Sequence, residues 1–347
     1  MTKNSLKKKI LVTGGTGYIG SHTIVDLLEN QFEVISIDNF SRSSPLALDG
    51  IEKISHQKIK NYSVDLCHYE DTRQVFIKNE NIAGIIHFAA FKSVPESVQF
   101  PLRYYENNLY SLINLLKCVE EFQIETFVFS SSCSVYGNVE QLPVTEDTPL
   151  SEPQCAYAAS KQMGEQIIKD FSKKNAFCKS ILLRYFNPVG AHHSALIGES
   201  PIEKPNNLVP LITQTAIGLL EKMYVWGNDY NTRDGFCIRD YIHVMDIANA
   251  HTKALEHLLQ HQVNAPYEIL NLGTGNGISV MEIIQTFEKI SGVRLNYEIG
   301  PRRDGDVMAI YANNEKAKQL LNWQIKYSTE DMMQTAWQWQ QMLAKKP

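Results

Sequence analysis

The sequence predicts an α/β protein in which a doubly wound parallel sheet is followed by a smaller mixed α/β lobe. Three observations predict this fold. A short apolar strand near the N-terminus runs through a glycine-rich turn into a helix, strand-like and helix-like segments alternate through the first half of the chain, and the alternation weakens after about Phe186. Such alternation is typical of a parallel sheet covered by helices on both faces.

The first element is an apolar strand, Lys9-Ile-Leu-Val-Thr13, that leads into Gly14-x-x-Gly17-x-x-Gly20. Apolar residues at helical spacing follow at Ile24, Leu27 and Leu28. The glycines let the backbone approach a pyrophosphate, whose charge would be met by amides at the helix N-terminus. The sequence therefore predicts a dinucleotide site here, and a glycine-rich turn without a ligand is the alternative.

The second strand, 32–37, ends at Asp38, close to the distance from Gly20 that the dinucleotide fingerprint requires. An acidic side chain there accepts hydrogen bonds from both ribose hydroxyls of adenosine and repels a 2′-phosphate. We therefore expect NAD rather than NADP as the cofactor. Arg42 nearby leaves NADP open.

The later strands of the predicted sheet are 61–65, 84–88, 125–130 and 180–184. In such sheets, ligands bind beyond the carboxyl ends of the strands. The site should therefore be bordered by the residues at the ends of the first five strands: Gly14, Asp38, Asp65, Phe88 and Ser130.

The chain of 347 residues exceeds the usual length of one domain. We predict an NAD-binding Rossmann domain over 1–186 and a substrate-binding lobe over 187–347, with some exchange of chain between the two. In the second part, polar loops rich in proline and asparagine, such as 203–208, separate short helices and strands. This texture is typical of a lobe that closes over a substrate.

A tyrosine and a lysine lie four residues apart in Tyr157-Ala-Ala-Ser-Lys161. On a helix they share one face, about 5–6 Å apart at Cβ, so the ammonium can act on the phenol. A free tyrosine, with a pKa of about 10, is a poor base, and lowering that pKa by about three units needs roughly 4 kcal/mol. A partly buried lysine and a cationic nicotinamide ring can supply this together. The pair predicts proton abstraction from a hydroxyl, although alone it more often decorates a helix surface.

Composition and charge argue against several classes of partner. The net charge is −5 and no long basic run occurs beyond Lys7-Lys8-Lys9, so we expect no nucleic acid. No apolar stretch reaches membrane-spanning length, so we expect no membrane association and a cytoplasmic protein. The six cysteines lack C-x-x-C spacing, and neither they nor the histidines predict a metal site.

With these residues in place, the chain resembles the extended short-chain dehydrogenase/reductase family and, within it, the branch that epimerises UDP-sugars at C4. The resemblance runs from about Lys9 to Trp339. It rests on the motifs His87-Phe-Ala-Ala-Phe-Lys92, Tyr104-Tyr-Glu-Asn-Asn108, Ser130-Ser-Ser-Cys-Ser-Val-Tyr-Gly137, Arg184-Tyr-Phe-Asn-Pro-Val-Gly190, Pro205-Asn-Asn-Leu208, Gly227-Asn-Asp-Tyr230 and Arg239-Asp-Tyr-Ile-His-Val244.

The resemblance implies interconversion of UDP-galactose and UDP-glucose through a 4-keto sugar, with transient hydride transfer to tightly bound NAD. Tyr157 would be the acid/base at the C4 hydroxyl. Lys161 would lower the pKa of Tyr157 and hold the nicotinamide ribose, and Ser132 would bridge Tyr157 and the substrate oxygen. For Ser132, a strand-end serine that caps the next turn is the alternative.

The resemblance also implies the binding residues. For the cofactor they are Gly14, Gly17, Tyr18, Ile19, Gly20, Asp38, Asn39, Asp65, Leu66, Phe88, Ala89, Lys92, Asn107, Ser130, Tyr157, Lys161 and Phe186. For the substrate they are Ser132, Tyr157, Asn187, Asn207, Leu208, Val225, Trp226, Arg239, Arg303, Asp306 and Ile310.

The two arginines among the substrate residues suit a diphosphate, because guanidinium groups bind phosphate oxygens in bidentate fashion. Surface ion pairs of Arg239 with Asp240 and of Arg303 with Asp304 are the alternative.

Sister enzymes of the family dehydrate nucleotide sugars with an Asp-Glu pair directly after the serine position, where this chain has Cys133 and Ser134. Neither side chain can serve as the carboxylic acid of that elimination, so the sequence favours an epimerase over a hydro-lyase. A non-catalytic NAD-sensing regulator on the same fold is a further alternative. The presence of Tyr157, Lys161 and Ser132 argues against it.

Two more expectations come from the resemblance. Ile310 occupies a position where some members of the family carry tyrosine and others a small residue, which leaves N-acetylated UDP-sugars open as substrates. The helical segments 107–121 and 157–173 resemble those that pair in homodimers of the family, so we expect a homodimer.

Overall fold

The computed structural model describes residues 7–201, 205–261, 265–303 and 307–345, so that Asp304 and Asp306 lie outside the described residues. The described strands are β1 (Lys9–Thr13), β2 (Glu33–Ile37), β3 (Lys60–Tyr62), β4 (Ile82–His87), β5 (Thr126–Ser132), β6 (Lys179–Tyr185), β7 (Asn187–Val189), β8 (Met223–Trp226), β9 (Ile238–Arg239), β10 (Tyr241–His243), β11 (Tyr267–Leu272), β12 (Ile278–Ser279), β13 (Tyr297–Gly300) and β14 (Ala309–Ile310).

The described helices are α1 (Tyr18–Glu29), α2 (Leu46–Ser55), α3 (Tyr69–Ile77), α4 (Val94–Gln99), α5 (Pro101–Glu121), α6 (Ala156–Lys174), α7 (Leu208–Ala216), α8 (Val244–Leu259), α9 (Val280–Ser291), α10 (Glu315–Leu321) and α11 (Thr329–Ala344), with a 3₁₀ helix at Cys133–Tyr136. Within the described ranges, no helix combines the length and the apolar character that a membrane span requires.

Of the described strands, seven form one sheet in the order β11-β6-β5-β4-β1-β2-β3. The pairs β1–β2, β1–β4, β2–β3 and β4–β5 are parallel, and the predicted doubly wound fold is confirmed. Parallel strands are covered on both faces, and Ile10, Leu11 and Val12 of β1 are fully buried accordingly. The sequence does not predict β11, because Glu268 and Asn271 interrupt its apolar run.

The passage from β1 to α1 requires glycine at its first position. Gly14 has a φ of +67°, and its N–H donates to the carbonyl of Ile37 at 2.8 Å. A Cβ on Gly14 would lie 2.8 Å from the backbone nitrogen of Ala89. α1 then packs on β1 and β2, with Ile24 and Leu27 fully buried.

The chain divides into two units. The first contains the chain up to Ser131 together with Cys155–Leu183 and Ala248–Ile269. Its core lies between the sheet and helices such as α5, with Leu11, Leu115 and Phe127 fully buried. α5 and α6 pack against each other within this unit.

The second unit contains Ser132–Gln154, Arg184–Ile247 and the chain from Leu270 onwards. Its sheets are small: β7 pairs with β10, β9 lies between β12 and β14, and β8 pairs with β13. One of its apolar clusters includes Phe287 and Trp337. Another contains Val135, Tyr136, Val144, Phe186, Ile310 and Ala312.

The limits of the units differ from a single cut between residues 186 and 187. Ser132–Gln154 belongs with the second unit because the Val144 N–H donates to the Tyr311 carbonyl at 3.0 Å. Ala248–Ile269 belongs with the first because Leu255 of α8 lies over Gly84 of β4, where a Cβ would be 2.8 Å from Leu255 Cδ1.

Candidate active site

The N-terminus of α1 offers a site for an anion. Its N-cap, Gly17, makes no side-chain cap hydrogen bond, and the first turn holds no acidic residue. The backbone N–H groups of a first turn, here those of Tyr18 and Ile19 among others, have no partner within the helix, and the helix dipole favours negative charge. A Cβ on Gly20 would lie 2.2 Å from the Gly14 carbonyl oxygen. The backbone at Gly20 therefore lies so close to that at Gly14 that a side chain on Gly20 would not fit. These features fit the pyrophosphate of a dinucleotide.

Asp38 follows β2 and lies beside the glycine turn. Its Oδ2 accepts a hydrogen bond from the Thr16 N–H at 3.1 Å. Its Oδ1 accepts from the Phe40 N–H at 2.9 Å and from the Ser43 hydroxyl at 2.8 Å. The carboxylate is therefore fixed next to the phosphate turn, where a ribose needs an acceptor. Asn39, beside it in the chain, is exposed.

The segment after β3 carries two predicted cofactor residues. Asp65 accepts the Cys67 N–H on Oδ1 at 2.9 Å. The carbonyl of Leu66 accepts Nδ2 of Asn114 at 2.9 Å, so helix α5 holds this segment in place.

The loop after β4 carries three more. The Phe88 N–H donates to the Thr13 carbonyl at 3.0 Å, and its ring centre lies 4.6 Å from that of His251. Ala89 follows directly and forms the wall against which the glycine turn packs. Lys92 is exposed, and its Nζ lies 6.0 Å from the centre of the Tyr18 ring, so its charge is placed close to the helix N-terminus that suits an anion.

A chain of hydrogen bonds links that loop to the helix that carries the catalytic tyrosine candidate. Asn107 donates from Nδ2 to Asn108 Oδ1 at 2.9 Å. Asn108, which is buried, accepts the Phe91 N–H at 2.8 Å and donates to Ser160 Oγ at 3.0 Å. Ser160 in turn donates to the carbonyl of Tyr157 at 2.8 Å. The sequence does not predict the role of Asn108, although this residue closes one of the motifs.

Tyr157 and Lys161 lie one turn apart on α6, Lys161 buried and Tyr157 partly exposed. The Nζ of Lys161 donates to the carbonyl of Ser130 at 2.6 Å, and it lies 4.9 Å from the Phe129 ring centre and 6.0 Å from the Tyr157 ring centre. Burial lowers the pKa of Lys161 to about 8, and the charge of Glu165 opposes this change. The ammonium is still mostly charged at pH 7, beside a phenol that it would acidify.

Two buried groups near Lys161 are not predicted by the sequence. His87 has Nδ1 2.7 Å from Thr13 Oγ1, and burial, followed by the charge of Lys161, lowers its pKa to about 3, so the imidazole is neutral. Glu165 is fully buried and accepts the Ser131 hydroxyl on Oε1 at 2.6 Å. Two features of the sequence could have indicated these residues. His87 is the first residue of the motif His87-Phe-Ala-Ala-Phe-Lys92, and Glu165 lies four residues after Lys161, on the same helix face.

Ser132 stands at the start of the second unit, at the end of β5. Its Oγ accepts the Ser134 N–H at 3.2 Å and so caps the 3₁₀ helix. The capping role is therefore present, but it uses an acceptor site and leaves the hydroxyl proton for another partner. Burial raises the pKa of the Cys133 thiol to about 12, against the charge of Arg239, so this thiol is neutral at pH 7.

A buried hydrogen-bond network supports the turn after Ser132. Arg184, which is 2 % exposed, donates from Nη1 to the Tyr136 hydroxyl at 3.1 Å. That hydroxyl donates to Asn271 Oδ1 at 2.6 Å, and the Asn271 N–H donates to Glu146 Oε1 at 2.7 Å. The sequence does not predict this network, because spacing does not distinguish a buried arginine from an exposed one.

Arg239 lies on β9, and the carboxylate that follows it is fully buried. Asp240 accepts the N–H and the hydroxyl of Thr274 on Oδ1, at 2.7 and 2.6 Å. On Oδ2 it accepts the N–H groups of Gly275 and Ala312, each at 3.1 Å. Four donors match the lone-pair sites of a carboxylate, which argues against a role of Arg239 limited to pairing with Asp240.

Arg303 and Trp226 lie together in the second unit. Arg303 is exposed, and its Cζ is 5.8 Å from the Trp226 ring centre at the end of β8, directly after the buried Val225. The alternative ion pair of Arg303 with Asp304, and the predicted contact of Asp306, fall outside the described residues.

The remaining substrate residues lie on separate elements of this unit. Asn187 begins β7, and its N–H donates to the Asp240 carbonyl at 2.9 Å. Asn207 is the exposed N-cap of α7, directly before Leu208. Ile310 is buried in one apolar cluster with Phe186.

Comparison with known proteins gives a match to a protein family, a match to a related sequence and matches to solved structures. Residues 11–336 match the GDP-mannose 4,6 dehydratase family. The chain is 46% identical over 331 residues to the UDP-glucose 4-epimerase of Bacillus subtilis. This alignment covers 95% of this chain and 96% of that protein. It is similar to the solved UDP-glucose 4-epimerase of Bifidobacterium longum in complex with NAD+ and UDP, with a TM-score of 0.92, 42% identity and coverage of 96% and 98%. It is also similar to the solved UDP-Glc/GlcNAc 4-epimerase of Campylobacter jejuni, with a TM-score of 0.83, 36% identity and coverage of 96% and 99%.

The site residues distinguish between the two reactions that these matches name. The Asp-Glu pair expected of a dehydratase is replaced here by Cys133 and Ser134, whose side chains carry no carboxyl group. Among the residues that the structure describes, no group of histidine, cysteine and acidic side chains could hold a metal ion. The described residues provide a helix N-terminus that suits an anion and a phenol beside a buried ammonium, an arrangement that suits a dinucleotide and a proton transfer.

Proposed function

The chain belongs to the UDP-glucose 4-epimerase family of the extended short-chain dehydrogenases/reductases, and on this premise we propose that it interconverts UDP-galactose and UDP-glucose. NAD is the cofactor, and when bound it supplies the acceptor and donor of hydride for C4 of the sugar. The sugar passes through a 4-keto form and regains its C4 hydrogen on the opposite face. No net oxidation or reduction results.

The residues of the chain move the proton. We assign to Tyr157 the removal of the C4 hydroxyl proton and its later return. Lys161 would stabilise the phenolate of Tyr157 and so lower the pKa of this phenol. A fall of about three units needs roughly 4 kcal/mol of such stabilisation. The capping bond of Ser132 does not use its hydroxyl proton. Ser132 would donate this proton in a hydrogen bond to the developing oxyanion. Arg239 and Arg303 are assigned to the diphosphate.

The observation that carries this proposal is the burial of Lys161 beside Tyr157. An exposed lysine would be screened by water and would hold the phenol only loosely. Here the ammonium is anchored on the Ser130 carbonyl at 2.6 Å. An anchored charge acts on the same phenol in every turnover without first having to be ordered.

The test uses the purified protein with UDP-galactose and no added cofactor. UDP-glucose should form, and denaturation of the same sample should release NAD. If no dinucleotide is released and activity requires stoichiometric consumption of added NAD or NADPH, the protein is a net oxidoreductase and the proposal is wrong.

A 4,6-dehydratase is the second candidate, because the family match to residues 11–336 carries that description. Dehydration lowers the mass of the nucleotide sugar by one water, whereas epimerisation leaves the mass unchanged. Mass spectrometry of the product therefore separates the two reactions in a single assay, and we expect no change in mass.

We also propose that N-acetylated UDP-sugars are slower substrates. Ile310 is shorter than the tyrosine of some family members and leaves more room beside the sugar ring. It is still a branched side chain, 6 % exposed and packed with Tyr136 and Phe186. The similarity to the C. jejuni UDP-Glc/GlcNAc 4-epimerase supports this extension.

For assembly, we propose a homodimer formed through α5 and α6. Three large apolar side chains on these helices are exposed: Leu102 by 79%, Tyr110 by 54% and Met163 by 46%. Such side chains on adjacent helices are a candidate interface. Light scattering should give twice the chain mass of 39.4 kDa. Leu102→Glu combined with Met163→Glu should give monomers, whereas Leu219→Glu, at an exposed apolar residue of the second unit, should not.

A cytoplasmic location is proposed as well. All six cysteines lie in the described residues and are free thiols, as is usual in reducing compartments. Cell fractionation with a tagged chain tests it, and recovery in an oxidising compartment would contradict it.

A further inference from the structure

A network of charges ties the loop after β2 to helices α4 and α5 in the first unit. Glu96 of α4 has a side chain that is only 13% exposed. Its Oε1 accepts hydrogen bonds from Arg42 Nη2 and, at 3.1 Å, from Arg103 Nη1. Its Oε2 accepts the Tyr104 hydroxyl at 2.8 Å. One carboxylate thus holds two arginines.

Arg42 is held on a second side as well. Its Cζ lies 4.9 Å from the centre of the Phe91 ring, and Arg103 Cζ lies 5.1 Å from the same centre. Burial acts against the charge of Glu96, but the hydrogen bonds from Tyr104 and Arg42 outweigh it and lower the pKa of Glu96. Glu96 is therefore ionised at neutral pH and keeps its partner.

The position of Arg42 gives this pairing a functional meaning. Arg42 precedes Ser43, whose hydroxyl donates to Asp38 Oδ1 at 2.8 Å and lies 2.7 Å from Thr16 Oγ1. Asp38 is the acceptor assigned to the adenosine ribose, so Arg42 lies next in the chain to a residue that hydrogen-bonds this acceptor. An arginine placed there accommodates the 2′-phosphate in dinucleotide folds that take NADP. The loop thus carries one feature for NAD and one for NADP.

We propose that Glu96 determines the preference for NAD by holding Arg42 away from a 2′-phosphate. Discrimination against NADP then has two parts, repulsion by Asp38 and withdrawal of Arg42. The inference rests on the cofactor assignment of the proposed function and is independent of whether the chain epimerises a sugar. A network that only stabilised the loop after β2 against α4 and α5 would change the melting temperature when broken, but would leave the choice of dinucleotide unchanged.

The test measures which dinucleotide the purified protein holds. Wild type and Glu96→Gln are produced in cells, which contain both dinucleotides, and NAD and NADP are quantified after denaturation. Glu96→Gln keeps the size of the side chain and removes its charge, so the charge-assisted hydrogen bond that holds Arg42 is weakened. The NADP:NAD ratio should rise at least about tenfold, the lower end for one charge-assisted hydrogen bond.

Three companion variants separate specificity from damage to the loop. Adding Arg42→Ala to Glu96→Gln should return the ratio to the wild-type value, since the cation itself is gone. Tyr104→Phe removes a hydrogen bond to Glu96 but leaves both arginines, so its ratio should equal that of wild type. Asp38→Asn removes the repulsion, and Glu96→Gln in that background should raise the ratio by a further factor of at least about ten.

An unchanged ratio in Glu96→Gln, in either background, would overturn the inference. If Glu96→Gln does not fold, Arg42→Ala alone decides: the ratio and the NAD content should both remain at wild-type values, and a loss of NAD would show that Arg42 already serves the cofactor. A wild-type protein that holds no dinucleotide would instead contradict the proposed function. The two failures are therefore distinguishable.

Discussion

Asp38 in the first unit and Asp240 in the second both lie beside candidate binding residues, but they are held in different ways. Asp38 is partly exposed, and two of its donors, Phe40 and Ser43, follow it within its own loop. Asp240 is fully buried, and its donors on Thr274 and Ala312 lie 34 and 72 residues along the chain. A carboxylate held by residues of its own loop can bind a ligand with little loss of protein stability. A carboxylate that joins distant segments mainly stabilises the fold.

The largest expected effect comes from a substitution that removes a catalytic group and leaves the fold in place. Tyr157→Phe keeps the ring next to Lys161 and removes the hydroxyl that carries the proton. We expect kcat to fall by at least about 100-fold, the lower range for a positioned acid/base, with little change in substrate affinity. Tyr69→Phe, at a phenol that donates to Glu121 on the surface, is the matched control and should retain its activity. Near-wild-type turnover of Tyr157→Phe would remove the mechanism.

The second prediction tests the comparison of the two aspartates directly. Asp240→Asn replaces one acceptor oxygen by an amide that faces backbone N–H groups, so at least one buried donor is left without a partner. We expect a loss of about 2–3 kcal/mol in the free energy of unfolding. Asp38→Asn should cost less than about 1 kcal/mol, because water reaches the site, and should mainly weaken retention of NAD. Urea denaturation and the released dinucleotide measure both, and equal destabilisation by the two changes would break the comparison.

The same contrast explains what the sequence predicts and what it does not. Gly14 and Asp38 are predictable because turn chemistry and spacing along the chain are local properties. Glu96 and Arg184 act through burial and through partners on other elements, which no spacing rule contains. For Arg239 and Ile310 of the second unit, whose strands span only two residues each, the family resemblance supplied what local pattern could not.

The third prediction concerns a side chain in the second unit that should affect substrate choice. Ile310→Tyr adds a ring in an apolar cluster beside Tyr136 and Phe186. Overpacking costs about 1–3 kcal/mol, so kcat/KM for UDP-N-acetylglucosamine relative to UDP-glucose should fall roughly tenfold to 150-fold. Ile310→Val, which makes a smaller change at the same site, should leave the ratio close to that of wild type. An unchanged ratio in Ile310→Tyr would show that Ile310 does not control access.

The smallest expected effect comes from buried histidines with lowered pKa values, which occur in both units. Burial lowers the pKa of His192 and of His243 to about 4, with the charge of His193 adding to the effect at His192 and Asp331 opposing it at His243. In the first unit, burial lowers the pKa of His87 to about 3. An unfolded histidine has a pKa of about 6.5. Each group therefore contributes stability that is fully present above that pH and is lost as the pH falls towards the folded-state value.

His192→Asn tests this acid dependence within the second unit. The Oδ1 of asparagine can replace the His192 Nδ1 that accepts the Ser194 N–H at 3.2 Å, while the titrating ring is removed. Between about pH 6 and 4.5, the variant should lose less stability than wild type, by up to about 1.4 kcal/mol per pH unit. His56→Asn is the matched control: His56 is exposed at a φ of +56°, which asparagine tolerates, so its acid limb should parallel that of wild type. If His192→Asn also runs parallel to wild type, protonation of His192 does not contribute to acid unfolding.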